Sequence, residues 1–171
     1  MINIRKGSFE TNSSSAHSIV ITKHEVPYSA NNDFRLNSNF LLVRPYNIEF
    51  GRTFDILADW YSRMCYAIAS LGAERFDEIE AAIKKHFSNI EFIDLPTDPW
   101  ADEDDAPYYG TVDHQSMGLL AGFLEKHSIT IEDFIFNNHY VVIIDGDEYM
   151  IFDTLRRNEL LNMAAIEEIY D

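Results

Sequence analysis

The 171-residue chain contains little that would restrain it covalently or hold it in a membrane. Cys65 is the only cysteine, so no disulfide can form within the chain and no cluster of cysteines can bind a metal. No run of 18 apolar residues is present, which argues against a membrane-spanning helix. No apolar stretch follows Arg5 and Lys6, so we expect no signal peptide. We therefore predict a cytoplasmic protein with no membrane partner.

Positive charge is scarce and unevenly distributed. The chain has 13 Lys/Arg against 29 Asp/Glu, which gives a formal net charge of −16. Residues 1–52 hold six of the basic residues and four of the acidic ones, a net charge of +2, so residues 53–171 carry −18. Charge of this sign repels nucleic acid and attracts basic proteins, and we expect no direct contact with nucleic acid. Solubility alone is the simpler explanation of the charge.

The hydrophobic periodicity is typical of one globular α+β domain. Alternating and β-branched segments predict strands, and apolar residues three and four positions apart predict helices. The predicted strands are 2–6, 18–22, 40–44, 90–93, 140–145 and 148–152, and the predicted helices are 53–71, 74–87, 115–126, a short one from Thr130, and 153–170. Because strands come both before and after the helices, we predict a single domain over residues 1–171. It has a mostly antiparallel sheet packed with three to five helices.

Two features predict how these elements are arranged. Asp145-Gly146 separates two of the predicted strands, and this dipeptide is a strong sign of a β-hairpin. We expect the hairpin to pair within the main sheet. We also expect the helix over 53–71, which Gly72 ends, to pack its apolar face on that sheet.

A polar segment near the N-terminus, GSFETNSSSAHS, is rich in side chains that form hydrogen bonds. Three interpretations are open. The side chains satisfy the backbone of turns; or Ser13 is a nucleophile with His17, four residues later, as its base; or hydroxyl and amide groups hold an anion such as phosphate. The candidate ligand-binding residues are Glu10, Thr11, Asn12, Ser13, Ser14, Ser15 and His17.

A second polar cluster precedes the third predicted helix and consists of Asp113, His114, Gln115 and Ser116. Helix capping by Asp113 explains part of it. We predict that residues 7–17 lie next to this cluster, because two polar segments cost less free energy when they satisfy each other. Such a site would suit a small enzyme or a nucleotide- or metal-binding protein. His17 and His114 with Asp113 or Glu10 could hold a divalent metal, but no ligand spacing supports this, and we predict no metal and no cofactor.

Residues 94–110 are predicted to form an acidic loop. The loop lacks the alternating oxygen ligands and the glycine of a calcium-binding loop, so a solvated surface is its simplest interpretation. The alternative is a stripe that imitates DNA phosphates and binds the basic groove of a DNA-handling protein, with aromatic residues as anchors. The candidate partner-binding residues are Asp94, Asp98, Trp100, Asp102, Glu103, Asp104, Asp105, Tyr108 and Tyr109.

Residues 5–18 follow the pattern R-x-G-x-F-E-T-N-S-S-S-x-H-S, which resembles the N-terminal signature of a family of uncharacterised proteins from phages and mobile elements of Firmicutes. Val112-Asp-His-Gln-Ser and Asp133-Phe-Ile-Phe-Asn also resemble that family's pattern. The resemblance implies a small accessory protein of a mobile element, a class that includes anti-CRISPR proteins. We therefore expect a non-enzymatic inhibitor whose acidic surface binds a host nuclease or CRISPR effector. The enzyme or ligand-binding alternative stays open.

Overall fold

Seven strands and four helices make up the part of the chain that the computed structural model describes, residues 16–26, 35–36, 39–51, 54–102, 105–145, 159 and 162–171. This confirms the predicted α+β class with a largely antiparallel sheet. In chain order the elements are β1 (Ala16–Thr22), β2 (Arg35–Leu36), β3 (Phe40–Leu42), β4 (Asp55–Leu57), α1 (Trp60–Leu71), α2 (Phe76–His86), β5 (Phe92–Asp94), α3 (Leu119–His127), α4 (Ile131–Phe136), β6 (Tyr140–Asp145) and β7 (Ile166–Tyr170).

The larger sheet has the strand order β4-β6-β1-β7, and all three pairings are antiparallel. Its strands bury side chains on both faces. Ile19 and Val142 face the main core with the helices, whereas Val20 and Val141 belong to a smaller apolar cluster on the other face. Burial on both faces explains why β6 reads as a continuous apolar run rather than an alternating one.

The smaller sheet has the order β2-β3-β5, with β3 and β5 parallel. Leu41 and Ile93 point into the main core, and the rings of Phe40 and Phe92 stack on the other face with their centroids 5.5 Å apart. At the outer edge of β5, the backbone N–H of Ile93 donates to Oε1 of Glu80 on α2, at 3.0 Å. A side chain thus occupies a backbone donor that an edge strand would otherwise expose.

Helix α1 is central to the core. It begins after Asp59, whose carboxylate accepts the N–H of Ser62 at 3.0 Å, and it ends at Gly72, which has a φ of 57°. Met64 and Ile68 are fully buried and belong to the same apolar cluster as the inward-facing residues of the larger sheet. The prediction that this helix packs its apolar face on the sheet is therefore confirmed.

Arg63 is fully buried within this apolar core. Its Nε and Nη2 donate to the carbonyl of Ile135 at 3.0 and 2.8 Å, and Nη1 donates to the carbonyls of Ala58 and Tyr140 at 2.5 and 2.9 Å. Nη2 also donates to Oδ1 of Asn138 at 3.3 Å. All five N–H groups of the guanidinium are satisfied, which offsets the cost of burying the charge. Burial lowers the pKa of Arg63 to about 10, so the side chain stays protonated at neutral pH.

The predicted helix over 53–71 was wrong in its first turns. Residues 55–57 form β4, which pairs with β6 from Asp55 opposite Ile144 to Leu57 opposite Val142. The edge of β6 provides this segment with backbone hydrogen-bond partners. The helix therefore begins at Trp60, after the capping residue Asp59, and not at residue 53 as predicted. Tertiary pairing therefore overrides a helical pattern at this position.

The predicted C-terminal helix over 153–170 was also wrong in its last part. Residues 162–164 are helical, but Ala165 adopts a φ of 54° and the following residues form β7 along the free edge of β1. The third predicted helix likewise begins late, at Leu119, because Gly118 has a φ of 84° and separates α3 from a 3₁₀ turn at 114–116. The predicted strand 90–93 is observed two residues later, as β5.

Thr130 begins the fourth helix as predicted, and its hydroxyl accepts the N–H of Asp133 at 3.0 Å. The predicted strands 2–6 and 148–152 lie outside the described residues. The second strand of the predicted hairpin is therefore not described. Its first strand, β6, lies within the main sheet between β1 and β4.

Gly110 brings two distant segments of the chain into contact. It has a φ of 84°, and a Cβ at this position would lie 2.1 Å from the carbonyl oxygen of Ile48. The N–H of Thr111 donates to that oxygen at 2.9 Å, and the N–H of Phe50 donates to the carbonyl of Thr111 at 2.9 Å. Only glycine allows this approach of the two backbones.

We expect Gly110→Ala to lower the free energy of unfolding by roughly 2–4 kcal/mol, because it adds left-handed strain and a steric clash with Ile48. Gly118→Ala is the matched control, since Gly118 has the same φ of 84° but nothing within 4 Å of an added Cβ. It should cost only the strain, about 1–2 kcal/mol. Urea unfolding of the two variants measures both values, and equal losses would contradict the proposed contact.

We expect Arg63→Met to lower the free energy of unfolding by about 3–5 kcal/mol, because three buried carbonyls and Asn138 would lose their donors. Arg63→Lys should also destabilise, since an ammonium has three donors instead of five. Arg75→Met is the control: Arg75 forms an ion pair with Glu78 at the surface, and its loss should cost less than about 1 kcal/mol. Urea unfolding of the three variants measures these losses and distinguishes the buried Arg63 from Arg75 at the surface.

Candidate functional site

The N-terminal polar segment contributes one described site residue, His17. Glu10, Thr11, Asn12, Ser13, Ser14 and Ser15 lie outside the described residues. His17 was predicted to lie in a loop, but it belongs to β1, where it pairs with Ile144 of β6. Its placement in a central strand fixes the direction of its side chain.

His17 is held inside the protein. The residue is 4% exposed, and its Nδ1 lies 3.2 Å from the hydroxyl of Tyr66, a buried residue of α1. Burial lowers the pKa of His17 to about 4, and the Asp113 carboxylate opposes this shift only in part. The imidazole is therefore neutral at pH 7, and it is too enclosed to reach a substrate in solution.

The cluster at 113–116 lies beside β1, and Asp113 is near enough to affect the pKa of His17. Asp113 caps the 3₁₀ turn by accepting the N–H of Gln115 at 2.9 Å. Ser116 is buried, whereas Gln115 is exposed and His114 has a side chain that is 72% exposed. The structure thus brings Asp113 and His17 together, but His114 faces solvent and the buried His17 does not.

The described residues contain no group of three or more His, Cys, Asp or Glu side chains arranged to hold a metal ion. The nearest approach to a ligand pair in this region is His114 Nδ1, which lies 3.5 Å from Oδ1 of Asp113. One carboxylate and one exposed imidazole do not form a metal site.

The acidic loop is folded back on itself. Thr97 and Pro107 form an antiparallel bridge, the N–H of Asp98 donates to the carbonyl of Ala106 at 2.7 Å, and the N–H of Tyr108 donates to the carbonyl of Pro96 at 2.8 Å. These contacts close the base of the loop. Asp94 lies within β5, and Glu103 and Asp104 lie outside the described residues.

Trp100 lies in the outer part of this loop and is 88% exposed. The backbone N–H of Trp100 donates to Oδ1 of Asp98 at 2.9 Å. Asp102 and Asp105 are also exposed. A tryptophan side chain in water loses the free energy that burial would provide, so its exposure among acidic residues is typical of a binding surface.

The other two predicted aromatic anchors have structural roles. Tyr108 donates from its hydroxyl to Oε1 of Glu49 at 3.2 Å, and Tyr109 packs edge-on against Phe76 with the ring centroids 5.4 Å apart. Both tyrosines are partly buried against the main core. They fix the loop to the body of the protein and leave Trp100 as the exposed anchor.

The sequence around the loop is acidic over a longer range than the loop itself. Residues 86–125 contain nine Asp/Glu and no Lys or Arg. No basic residue of this stretch can therefore neutralise the loop acids. The absence of Lys and Arg is visible in the sequence. It identifies residues 86–125 as an acidic segment more specifically than the net charge of the whole chain does.

A surface depression of about 340 Å³ lies between the end of α2 and α4, lined by His86, Thr130, Glu132, Asp133, Phe136 and Asn137. Its polar groups are already engaged with one another. His86 stacks on Phe136 with the centroids 3.6 Å apart and places Nε2 3.0 Å from Oε1 of Glu132. Asp133 accepts from the Tyr140 hydroxyl at 2.9 Å. The depression was not predicted from the sequence, and its groups are arranged as ion pairs and stacks of a protein surface.

A comparison of the chain with protein-family models, with curated proteins and with solved structures finds no match in any of the three. Within the described residues no helix is both long and apolar enough to cross a membrane. Function is therefore inferred from the residues of this chain.

We expect the free energy of unfolding to fall as the pH falls from 6.5 to 4, because His17 is protonated in the unfolded state over this range while the buried ring stays neutral in the folded state. The loss of unfolding free energy should reach about 2–3 kcal/mol near pH 4, and no loss is expected above pH 7. His17→Gln should flatten the pH dependence over this window while keeping a hydrogen-bonding group near Tyr66. His114→Gln, at the exposed histidine, should leave it unchanged. Urea unfolding at several pH values measures the slopes, and parallel curves for wild type and His17→Gln would contradict the assignment.

Proposed function

We propose that this protein is a non-catalytic anti-defence protein of a phage or mobile element, an anti-CRISPR-like inhibitor that imitates DNA. Its acidic loop binds the basic, nucleic-acid-binding surface of a host nuclease or CRISPR effector in the cytoplasm of the bacterial host. The observation that carries the proposal is the exposed Trp100 in a folded loop whose surroundings hold acidic residues and no basic ones over residues 86–125.

The charge of the loop explains how such a partner would be found. Exposed carboxylates attract a positively charged groove and accelerate association, and the attraction extends about 8 Å at physiological salt. The acids therefore provide speed and orientation, and they repel free DNA. Affinity needs buried contact area in addition, which an exposed tryptophan supplies when it enters a pocket of the partner.

The folding of the loop supports the same function. The bridge between Thr97 and Pro107 and the bond from Tyr108 to Glu49 hold the base of the loop in place before binding. A preformed loop loses less conformational entropy on association than an unstructured one, so more of the contact energy remains as affinity.

The resemblance of residues 5–18 to a family from phages and mobile elements supports the choice of a host defence protein as the partner. The alternative of a small enzyme has less support, because His17 is buried and hydrogen-bonded to Tyr66. Burial also lowers its pKa to about 4, which makes it a weak general base.

Neutralising the loop should weaken binding without unfolding the protein. We expect the combined variant Asp102→Asn, Glu103→Gln, Asp104→Asn and Asp105→Asn to lower the association rate with a CRISPR nuclease of a Firmicutes host by about tenfold or more at low salt. The difference from wild type should shrink as salt rises, because salt screens exposed charges. Surface plasmon resonance at several salt concentrations measures the rates, and nuclease cleavage assays measure the loss of inhibition.

The matched control removes the same four charges elsewhere. Glu74, Asp77, Glu125 and Glu167 are exposed and lie outside the loop, and their amide variants together reach the same net charge. This control should retain most of the association rate. Equal rates for the loop variant and wild type, or equal losses for the loop variant and the control, would refute recognition by the acidic loop.

A further inference from the structure

The exposed aromatic side chains of the described residues belong to one part of the fold. Among the large apolar side chains, three aromatic ones are exposed: Trp100 at 88%, Tyr46 at 61% and Phe92 at 42%. All three belong to the smaller sheet or to a segment that leaves it. The exposed aliphatic residues lie elsewhere, Met117 before α3 and Met163, Ile166 and Ile169 near or within β7.

In the smaller sheet, the segments that carry Tyr46 and Trp100 leave from the same edge. Strands β3 and β5 are parallel, so their carboxyl ends lie at the same edge. The chain leaves β3 into the 3₁₀ turn Pro45–Asn47, which carries Tyr46, and it leaves β5 into the acidic loop, which carries Trp100. At the point of departure the N–H of Val43 donates to the carbonyl of Asp94 at 2.9 Å.

The two segments meet again after the turn. The Tyr108 hydroxyl donates to Glu49 at 3.2 Å, and Gly110 lies against the backbone of Ile48. The turn itself is held by the Tyr61 hydroxyl, which donates to Oδ1 of Asn47 at 3.2 Å. These contacts join the turn that carries Tyr46 to the base of the loop that carries Trp100.

The negative charge of this surface comes from the acidic loop. Residues 43–50 contain one acid, Glu49, and one base, Arg44, so they add no net charge to the acids of the loop. Tyr46 is 61% exposed, and tyrosine and tryptophan are among the residues that most often dominate binding energy at protein interfaces.

We propose that Tyr46 is a second anchor of the docking surface, so that a basic protein partner accepts Trp100 and Tyr46 together in two pockets within one positively charged face. This rests on the proposed function of the acidic loop and adds a recognition element outside it. Two anchors on segments that are joined at their bases would select partners by shape as well as by charge.

Site-specific photocrosslinking tests this surface in cells of a CRISPR-carrying Firmicutes host. p-Benzoylphenylalanine replaces Tyr46, Trp100 or, as a control on β7, Ile169 in the full-length chain. We expect Tyr46 and Trp100 to crosslink the same protein and Ile169 to give no such product. That protein is then purified, and its Kd is measured with wild type, Tyr46→Ala and Tyr46→Phe.

Tyr46→Ala should raise the Kd by about tenfold, mainly through faster dissociation, whereas Tyr46→Phe should stay within about twofold because the ring is retained. Thermal unfolding should be unchanged for both variants, since the side chain is exposed. If Trp100 crosslinks but Tyr46 does not, or if Tyr46→Ala binds as wild type, the second anchor is refuted while the acidic-loop function stands. If neither position crosslinks and the loop variant binds normally, both are refuted.

Discussion

The hydrogen bonds of Arg63 connect segments that lie far apart in the chain. Its guanidinium takes the carbonyls of Ala58, before α1, of Ile135, in the last turn of α4, and of Tyr140, at the start of β6. Carbonyls at a helix end and at the start of a strand have no partner within their own element, and burial would leave them unsatisfied. One buried cation thus sets where the central strand begins relative to the central helix, and β1 and β4 take their register from that strand.

The side of the fold that carries the proposed docking surface combines polar and apolar contacts. The turn after β3 and the loop after β5 are joined by backbone contacts, among them the close approach at Gly110, and by the tyrosines of the loop base. Ile48 belongs to the main apolar core, and Tyr108 and Tyr109 pack against it. These contacts hold the bases of both segments in place, which lowers the entropy that the segments would lose on binding a partner.

The polar interior around His17 shows the opposite use of the same residue types. His17, Tyr66 and Asp113 lie close together, but the ring is buried and held neutral. The prediction that residues 7–17 lie next to the 113–116 cluster stays a prediction, since only the end of the first segment, with His17, lies within the described residues. What that prediction could not provide was the depth of the histidine, because depth depends on strands and helices contributed by the rest of the chain.

The sequence by itself determined the fold class, the central helix and its end at Gly72, the cap at Thr130 and the acidity of the loop, since each rests on local periodicity, capping chemistry or charge. Tertiary structure decided which segments near the ends of those elements became strands. Residues 55–57 and 166–170 carry apolar patterns compatible with helix, yet they complete the two outer positions of the larger sheet. Tertiary structure also placed Arg63 in the core and joined the segment after β3 to the segment after β5. These outcomes depend on hydrogen-bond partners that are distant in the chain, such as β6 for β4 and β1 for β7, and no local pattern encodes them.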